Sequence, residues 1–255
     1  MWYQIFAYFK FFFKSTNQHG VHSPFVYDLI TKCFYDKKKF HAYPIIDQYR
    51  KDLLQNHSII EVKDFGAGSR VFSSNKRKVS AIAKNAGITR KRAHLLYRLT
   101  HYLKLKKSLE IGTSLGLASN ALHNNTNELI TIEGCPETAK VAQNQFDKYE
   151  MEETKLIIGE FETELSKLTN TSYDLVYFDG NHQKEATLSY FETLLKTVHN
   201  DTVFIFDDIH WSKDMTEAWE IIKNRPEVTV TIDTFFWGFV FFRKEQVKEH
   251  FIVRL

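Results

Sequence analysis

Cysteine is scarce in this chain of 255 residues, which contains only Cys33 and Cys135. Two cysteines so far apart provide neither a disulfide framework nor a Cys-x-x-Cys metal or redox pair. The sequence also lacks internal repeats and low-complexity linkers. We therefore expect one large globular domain, or one domain with an appendage, in the reducing cytoplasm.

A long uninterrupted apolar run is also missing. The most apolar stretch, "MWYQIFAYFKFFFK", is interrupted by Lys10 and is shorter than the roughly 20 residues needed to span a bilayer. It has no basic n-region and no small-residue cleavage site, so we predict neither a membrane span nor a signal peptide. We expect a helix that packs its aromatic face on the domain or on a second copy in a homodimer, and a helix lying in a membrane interface is the alternative.

Acidic residues are almost absent from 63–107, where thirteen lysines and arginines accompany a single acid, Asp64. This asymmetry indicates either a partner rich in phosphate or a solvated helical face balanced by the acidic remainder of the chain. Within it, "SAIAKNAGITRKRAHLLYRL" has the pattern of a helix-turn-helix, with Arg90, Lys91 and Arg92 opening the second helix. Nucleic-acid binding is therefore an alternative to a helical cover over a substrate entrance.

The pattern of the chain changes near residue 105. Before it the pattern is helical, with Ser23 predicted as an N-cap and Pro24 at the first helical position. After it five strand-like runs alternate with helical segments, which is typical of a parallel sheet: "KSLEIGT", "ELITIEG", "KLIIGE", "YDLVYFDG" and "TVFIFDD". The stretch "VTVTIDTFFWGFVFFRK" has no room for a crossover helix and predicts an antiparallel hairpin that closes the sheet edge.

Chemically active residue types follow these predicted strands. In "LEIGTSLGLAS" a strand turns into a helix through glycines, which let backbone amides approach a ligand closely. The next strand ends in Glu133, 23 residues after Glu110, where an acid can accept hydrogen bonds from ribose hydroxyls. The fourth strand is followed by Asp179 and the fifth ends in Asp207. Ligands bind at this edge of open α/β sheets, so we expect the site there.

Residues 106–255 resemble the class I S-adenosylmethionine-dependent methyltransferases, and "EIGTSLG", "YFDGNH" and "FDD" are most similar to the O-methyltransferase branch. The resemblance implies an α/β fold with a Rossmann-like, seven-stranded methyltransferase sheet and an antiparallel final hairpin. It also implies that residues 1–105 form a helical region serving as a lid, a substrate-binding region or a dimer contact, and that 106–255 form the S-adenosylmethionine-binding core. The cofactor-binding residues implied are Glu110, Gly112, Thr113, Ser114, Gly116, Glu133, Gly159, Glu160, Phe161 and Asp179.

Within that set, the resemblance places Gly112 and its neighbours against the methionine moiety, Glu133 against the ribose, and "GEF" (159–161) beside the adenine. In members that use a divalent metal, an acid after the fourth strand and an acidic pair after the fifth bind the ion. By that likeness Asp179, Asp207 and Asp208 would hold Mg²⁺, which would orient a substrate hydroxyl for attack on the methyl group. The alternative for the pair is that Asp207 caps the following segment and Asp208 is solvated.

Two histidines lie close in sequence to these acids. We expect Asp179, His182 and His210 to be the catalytic residues, with each histidine serving as general base or as a further ligand. The segment "DGNH" lacks the prolines of methyltransferases that act on the exocyclic amines of bases, which disfavours N-methylation. The chain is thus predicted to methylate an oxygen of a small-molecule hydroxyl substrate. An RNA methyltransferase that docks through 63–107 and a DNA-binding regulator with a ligand-sensing α/β domain are the alternatives.

A second glycine loop occurs in "IIEVKDFGAGS", with Asp64, Gly66 and Gly68. No strand with a terminal acid follows it within a βαβ unit, since a long basic helical stretch comes next. We interpret this segment as a turn before the helices, with a lid over the cofactor as the alternative, and not as the main cofactor loop.

Overall fold

The computed structural model describes residues 2–63 and 74–255. The predicted turn or lid around Asp64, Gly66 and Gly68 lies outside these residues. The α-helices of the described part are α1 (Trp2–Lys14), α2 (Pro24–Leu29), α3 (Tyr43–Gln55), α4 (Val79–Asn85), α5 (Arg90–Leu103), α6 (Leu117–His123), α7 (Pro136–Lys148), α8 (Phe161–Lys167), α9 (Lys184–Leu194) and α10 (Lys213–Asn224). A π-helical segment, Ile30–Phe34, continues α2, and short 3₁₀ turns occupy Gln18–Gly20 and Leu195–Thr197.

The strands of the same residues are β1 (Ile59–Glu61), β2 (Lys76–Lys78), β3 (Lys107–Ile111), β4 (Glu128–Glu133), β5 (Thr154–Ile158), β6 (Leu175–Phe178), β7 (Val203–Asp207), β8 (Val230–Asp233), β9 (Trp237–Phe241) and β10 (Glu249–Ile252). Eight of them, β3 to β10, belong to a mostly parallel sheet. The predicted α/β fold class is therefore confirmed.

Helix starts follow the expected capping chemistry. The Ser23 hydroxyl accepts a hydrogen bond from the Val26 N–H, and Pro24 occupies the first helical position of α2. Thr89 caps α5 and Ser212 caps α10 in the same way. Each cap satisfies a backbone donor that has no partner inside the helix.

One compact unit contains Met1–Asp36 and Leu165–Leu255. Its strands lie in the order β10-β8-β9-β7-β6, and β9 is antiparallel to both of its neighbours. The predicted hairpin is thus confirmed as β8 and β9, but β10 pairs in parallel with β8 and forms the edge. The sheet therefore has one strand more than predicted, because the short β10 is flanked by charged residues and has no clear apolar alternation.

The core of this unit is built around β6 and β7, whose residues are all buried. Their aromatic side chains pack on one another, and the Phe178 and Phe206 rings stack with centroids 4.2 Å apart. Strands buried on both faces read as continuous apolar runs, which explains why "LVYF" and "VFIF" were recognisable in the sequence.

The other compact unit is Lys37–Glu164. It contains the parallel strands β3, β4 and β5 in chain order, together with α3 to α7 and the start of α8. The short strands β1 and β2 pair in antiparallel fashion within the region predicted to be helical. The predicted domain boundary at residue 105 stays a prediction.

Nowhere in residues 2–63 and 74–255 does a helix have the length and apolar content needed to cross a membrane.

Candidate functional site

The loop after β3 is a tight turn with left-handed backbone. Gly112 and Gly116 have φ angles of 100° and 77°, and Ser114 between them has a φ of 49°. The N–H groups of Gly112 and Thr113 donate to the carbonyl of Ile132, at 3.0 and 3.1 Å, so the loop folds over the end of β4. A left-handed turn at a strand end brings backbone amides to a ligand without side chains in the way.

Glu133, at the end of β4, is bound to this loop. One carboxylate oxygen accepts the Ser114 N–H at 2.8 Å, and the other accepts the Cys135 N–H at 2.9 Å. Both bonds join a charged acceptor to a backbone donor, so they fix the side chain strongly. The structure thus brings the glycine loop and the predicted ribose-binding acid together within one compact unit.

Glu110 is buried completely beneath the loop. The hydroxyls of Ser119 and Thr131 donate to its Oε2 atom, and Thr113 lies 2.6 Å from the Thr131 hydroxyl. Burial raises the pKa of Glu110 to about 7, the two hydroxyls lower the pKa, and the charge of Glu133 raises it further. Glu110 is therefore connected to the loop by hydrogen bonds that run through the Thr131 and Thr113 hydroxyls. Its direct contact with a cofactor stays a prediction.

The segment after β5 lies beside Glu133. The Gly159 N–H donates to the Glu133 carbonyl at 3.0 Å, which brings 159–161 to the end of β4. Glu160 is exposed, its carbonyl accepts the Glu164 N–H, and Phe161 is half-buried at the start of α8. The three residues predicted to border the adenine are thus next to the predicted ribose-binding acid.

Tyr49, on α3, is a residue of this site that sequence reasoning missed. Its buried hydroxyl donates to the carbonyl of Leu115 at 2.9 Å. A Cβ atom added to Gly116 would overlap this hydroxyl and the ring of Phe146. A helix from the region before residue 105 therefore fixes the shape of the loop, and no motif in "YPIIDQYRKDLLQ" indicated it.

The described residues of Lys37–Glu164 fit S-adenosylmethionine. Left-handed backbone at Gly112 lets a ligand approach the loop closely, and the Glu133 carboxylate has lone pairs for hydroxyl groups besides those that accept its two N–H groups. The buried Oε1 atom of Glu110 has no hydrogen-bond partner in residues 2–63 and 74–255. Such an uncompensated buried acceptor is costly, and a positively charged ligand group would satisfy it.

In the other unit, the predicted pairing of strand ends is confirmed. Phe178 of β6 and Phe206 of β7 are register partners, so Asp179 and Asp207 follow at the ends of neighbouring parallel strands. The Tyr177 hydroxyl donates to Asp179 at 3.3 Å, and the His182 Nε2 atom lies 3.7 Å from the Asp179 Oδ1 atom. Asp179 and His182 are thus close neighbours, and their predicted catalytic roles stay predictions.

The acids Asp179, Asp207 and Asp208 were predicted to hold a metal ion. Asp207 is buried and Asp208 is half-buried with a left-handed φ of 54°. Across the described part of the chain, no three side chains from His, Cys, Asp and Glu are grouped closely enough to hold a metal. The three acids do not fit a metal centre in this arrangement, so we derive no step through an ion.

His210 contacts an acid that the sequence did not single out. Its Nε2 atom lies 2.8 Å from the Asp233 Oδ2 atom, and its Nδ1 atom lies 3.2 Å from the Thr216 hydroxyl. Asp233 also accepts the Phe235 N–H at 2.8 Å, and the Phe235 ring stacks on His210. Asp233 ends β8, and this position after an apolar run was the one signal in the sequence.

A cavity of about 510 Å³ lies against His210 and Asp233 within this unit. Tyr3, Phe6 and Lys10 of α1 contribute to its lining. Its volume falls in the range of small-molecule pockets, roughly 300–1,000 Å³.

Left-handed backbone recurs at the strand ends. Ser114 follows β3, Asn181 and His182 follow β6, Asp208 follows β7 and Phe235 follows β8, all with positive φ. Residues other than glycine in this region cost on the order of 1–3 kcal/mol where the side chain makes no local compensation, and such residues cluster at ligand sites. Positive φ angles therefore occur at the same strand ends as the acidic residues, which supports a ligand site at this edge.

The basic segment has structural roles. Arg90 binds Asp47 through two nitrogens, and this ion pair raises the pKa of Arg90. Arg98 donates to the Tyr43 hydroxyl at 3.0 Å, and Lys107 pairs with Glu128 at 3.0 Å. These contacts support the interpretation that part of the segment balances acids within the protein.

A parallel α/β sheet with a glycine loop after one strand and an acid at the end of the next is typical of folds that bind a nucleotide cofactor, and S-adenosylmethionine-dependent methyltransferases are among them. Residues 109–209 match the family model described as methyltransferase domain. The predicted resemblance to methyltransferases is therefore confirmed for these residues. No curated protein sequence matches the chain significantly.

Solved structures show the same fold at low sequence identity. The SAH-bound methyltransferase PaMTH1 of Podospora anserina is 16% identical with a TM-score of 0.61, covering 88% of this chain and 97% of that one. The SAH-bound O-methyltransferase of Bacillus cereus is 16% identical with a TM-score of 0.57, covering 82% and 94%. The SAM-bound O-methyltransferase TomG of Streptomyces achromogenes, involved in tomaymycin synthesis, is 15% identical with a TM-score of 0.57, covering 81% and 91%.

Proposed function

We propose that this protein is an enzyme that transfers the methyl group of S-adenosylmethionine to a hydroxyl oxygen of a small molecule. The observation that carries the proposal is the loop from Gly112 to Gly116, which is tied to Glu133 by the Ser114 N–H. This arrangement places a closely approachable glycine backbone beside a carboxylate that can accept ribose hydroxyls. The neighbours named above are O-methyltransferases or a methyltransferase with bound SAM or SAH, which supports the same assignment.

When bound, the cofactor supplies an electrophilic methyl on a sulfonium sulfur, which keeps the bonding electron pair as the methyl leaves. In our proposal Glu133 holds the ribose, 159–161 border the adenine, and the glycine loop faces the methionine moiety. Glu110 holds the loop in place through Thr131 and Thr113.

His182 is the base in this proposal. Its imidazole can take the proton from the acceptor hydroxyl, and Asp179, 3.7 Å away, stabilises the resulting positive charge. His210 is less suited to this step because both of its ring nitrogens contact Asp233 and Thr216. We assign it to positioning the turn at Phe235.

The acceptor class is proposed from the O-methyltransferase neighbours, whose fold this chain shares. The cavity beside His210 is lined by neither Asp179 nor His182, so we do not assign it to the acceptor. An RNA acceptor would need basic side chains on the surface that can bind phosphate. Two basic side chains of 63–107, Arg90 and Lys107, instead form ion pairs with acids of the protein.

Transfer of isotopically labelled methyl groups from S-adenosylmethionine tests the proposal. The full chain would be incubated with a panel of phenols and catechols and, separately, with total RNA. We expect label in a small molecule and a decrease in kcat of at least about 100-fold for His182→Ala, as for loss of a general base.

The matched control is His199→Ala. This histidine also pairs with an aspartate, Asp174, at 2.9 Å, and it lies before β7 instead of after a strand end. It should change kcat by less than about twofold. Label in RNA and in none of the small molecules would overturn the proposed acceptor class, and equal losses in both variants would refute the role of His182.

A further inference from the structure

The helix α1 is apolar on the side that faces solvent. On a helical projection, Trp2, Ile5, Phe6, Phe9, Phe12 and Phe13 occupy one arc of about 120°, and no polar residue of the helix falls within it. We call this arc the outer face of α1. Its side chains are between 41% and 82% exposed. An ordinary surface helix has its polar residues there, so the outer face of α1 is built to meet something other than water.

The opposite side of α1 holds the helix firmly on its own compact unit. Phe11 is buried, and Tyr8 and Phe11 pack on the Phe235 ring with centroids 5.0 and 5.5 Å away. Just past the helix, the Thr16 N–H donates to the Ile252 carbonyl and the Arg254 N–H donates to the Thr16 carbonyl. The outer face is therefore presented by an anchored helix.

Cations border the outer face. Lys10 and Lys14 follow it on one side, and α1 contains no acid. On the other side the Arg254 guanidinium lies 5.0 Å from the centre of the Phe12 ring. Aromatic rings flanked by basic side chains are the pattern of helices that lie in the interface of an anionic bilayer.

The charges around the outer face favour an anionic lipid surface over a second copy of the chain. Six large side chains at these exposures present roughly 700–800 Å² of apolar surface, about the area that one partner buries in a stable protein interface. A symmetric contact between two copies would bring their cations together without an acid of α1 to offset them, whereas an anionic lipid surface attracts all three cations.

We propose that the outer face of α1, with Lys10, Lys14 and Arg254, docks this protein on an anionic lipid surface. The helix lies along the surface, the aromatic rings enter the headgroup region, and the three cations meet lipid phosphates. This property is independent of methyl transfer.

Sedimentation of the full chain with vesicles tests the proposal. The probes are vesicles of phosphatidylcholine and phosphatidylglycerol in equal parts and vesicles of phosphatidylcholine alone. We expect sedimentation with the first, much less with the second, and weaker sedimentation at high salt. The variant Phe6→Ser/Phe9→Ser/Phe13→Ser should partition at least about tenfold less, with an unchanged circular dichroism spectrum.

The matched control removes three exposed apolar side chains elsewhere. Leu54→Ser/Ile59→Ser/Val247→Ser should sediment with anionic vesicles as the unaltered chain does. Tryptophan fluorescence should shift to the blue on binding, and the variant Trp2→Phe should bind while losing most of that shift. Trp211, Trp219 and Trp237 lie outside α1 and are half-buried or buried, so they should contribute little to the shift.

Absence of sedimentation with both vesicle types overturns the proposal. So does equal binding by the phenylalanine triple variant. A dimer in analytical ultracentrifugation that the same variant dissociates, without vesicle binding by the unaltered chain, would assign the outer face to a second copy.

Discussion

Glu110 and Glu133 are two carboxylates on neighbouring strands with different roles set by their surroundings. Glu110 is buried and accepts hydrogen bonds only from hydroxyl groups, whereas Glu133 is half-buried and accepts two backbone N–H groups. The sequence predicted that both lie near the carboxyl edge of the sheet, but it did not show which of them supports the loop from within the core. That distinction depends on burial, which arises from the packing of α6 and β4 around Glu110.

Replacing Glu133 tests the residue that contacts the loop. We expect Glu133→Ala to weaken S-adenosylmethionine binding by at least about tenfold, because a hydrogen bond to a charged group contributes roughly 1.5–3 kcal/mol. Isothermal titration calorimetry of both proteins measures the change. The exposed Glu152→Ala serves as control, and unchanged affinity in Glu133→Ala would remove the ribose contact from the account.

Replacing Glu110 tests its raised pKa. A folded-state pKa of about 7 lies above the ordinary value of 4.5, so the folded protein holds this proton more strongly than the unfolded chain does. The contribution of this group to the free energy of unfolding is therefore complete below about pH 4.5 and is lost as the pH rises to about 7 and above. The contribution lost is on the order of 3 kcal/mol.

The variant Glu110→Gln keeps an acceptor for Ser119 and Thr131 and cannot ionise. Urea unfolding at about pH 5 and about pH 8 should show that the variant loses about 2–3 kcal/mol less stability between the two pH values than the unaltered protein does. Parallel changes in both proteins would show that Glu110 is not titrating in this range.

At the scale of elements, Gly116 in the loop from β3 to α6 leaves less room for a side chain than Gly159 after β5 does. Gly116 has a left-handed φ and no room for a Cβ beside Tyr49 and Phe146. Gly159 has ordinary φ, and a Cβ there would meet only the flexible side chain of Glu164. The two glycines offer a matched pair of substitutions.

Gly116→Ala should lower the free energy of unfolding by about 2–4 kcal/mol, because both backbone strain and overpacking oppose it. Gly159→Ala should cost less than about 1 kcal/mol. Chemical denaturation of the two variants measures the difference. Equal costs would mean that the loop tolerates a side chain at Gly116.

Predictability from the sequence differed among elements for physical reasons. Strands β3, β4, β6 and β7 were predictable because each is mostly buried and apolar and because glycine or an acid marks its end. Strand β5 is half-buried or exposed, and its short apolar run before Gly159 was the signal there. The edge strand β10 and the short strands β1 and β2 have little alternation of apolar and polar residues, so the sequence did not predict them as strands. The Asp233–His210 contact joins residues 23 positions apart, and no spacing rule predicts such a contact.

At the scale of the whole molecule, the fold places its chemical groups in two compact units. Lys37–Glu164 holds the glycine loop, Glu110 and Glu133, and the other unit holds Asp179, His182, Asp207 and His210. The sequence-derived fold class was right because it rests on the alternation of strands and helices along the chain. The cavity beside His210 could not be predicted, because it is formed by residues as distant in sequence as Tyr3 and Ile252.

The most direct test of the account is calorimetric titration of the full chain with S-adenosylmethionine, with NAD as the comparison ligand. The account predicts saturable binding of S-adenosylmethionine at one site per chain, with a Kd on the order of micromolar, and no binding of NAD. Absence of heat at millimolar S-adenosylmethionine, or tighter binding of NAD, would contradict it.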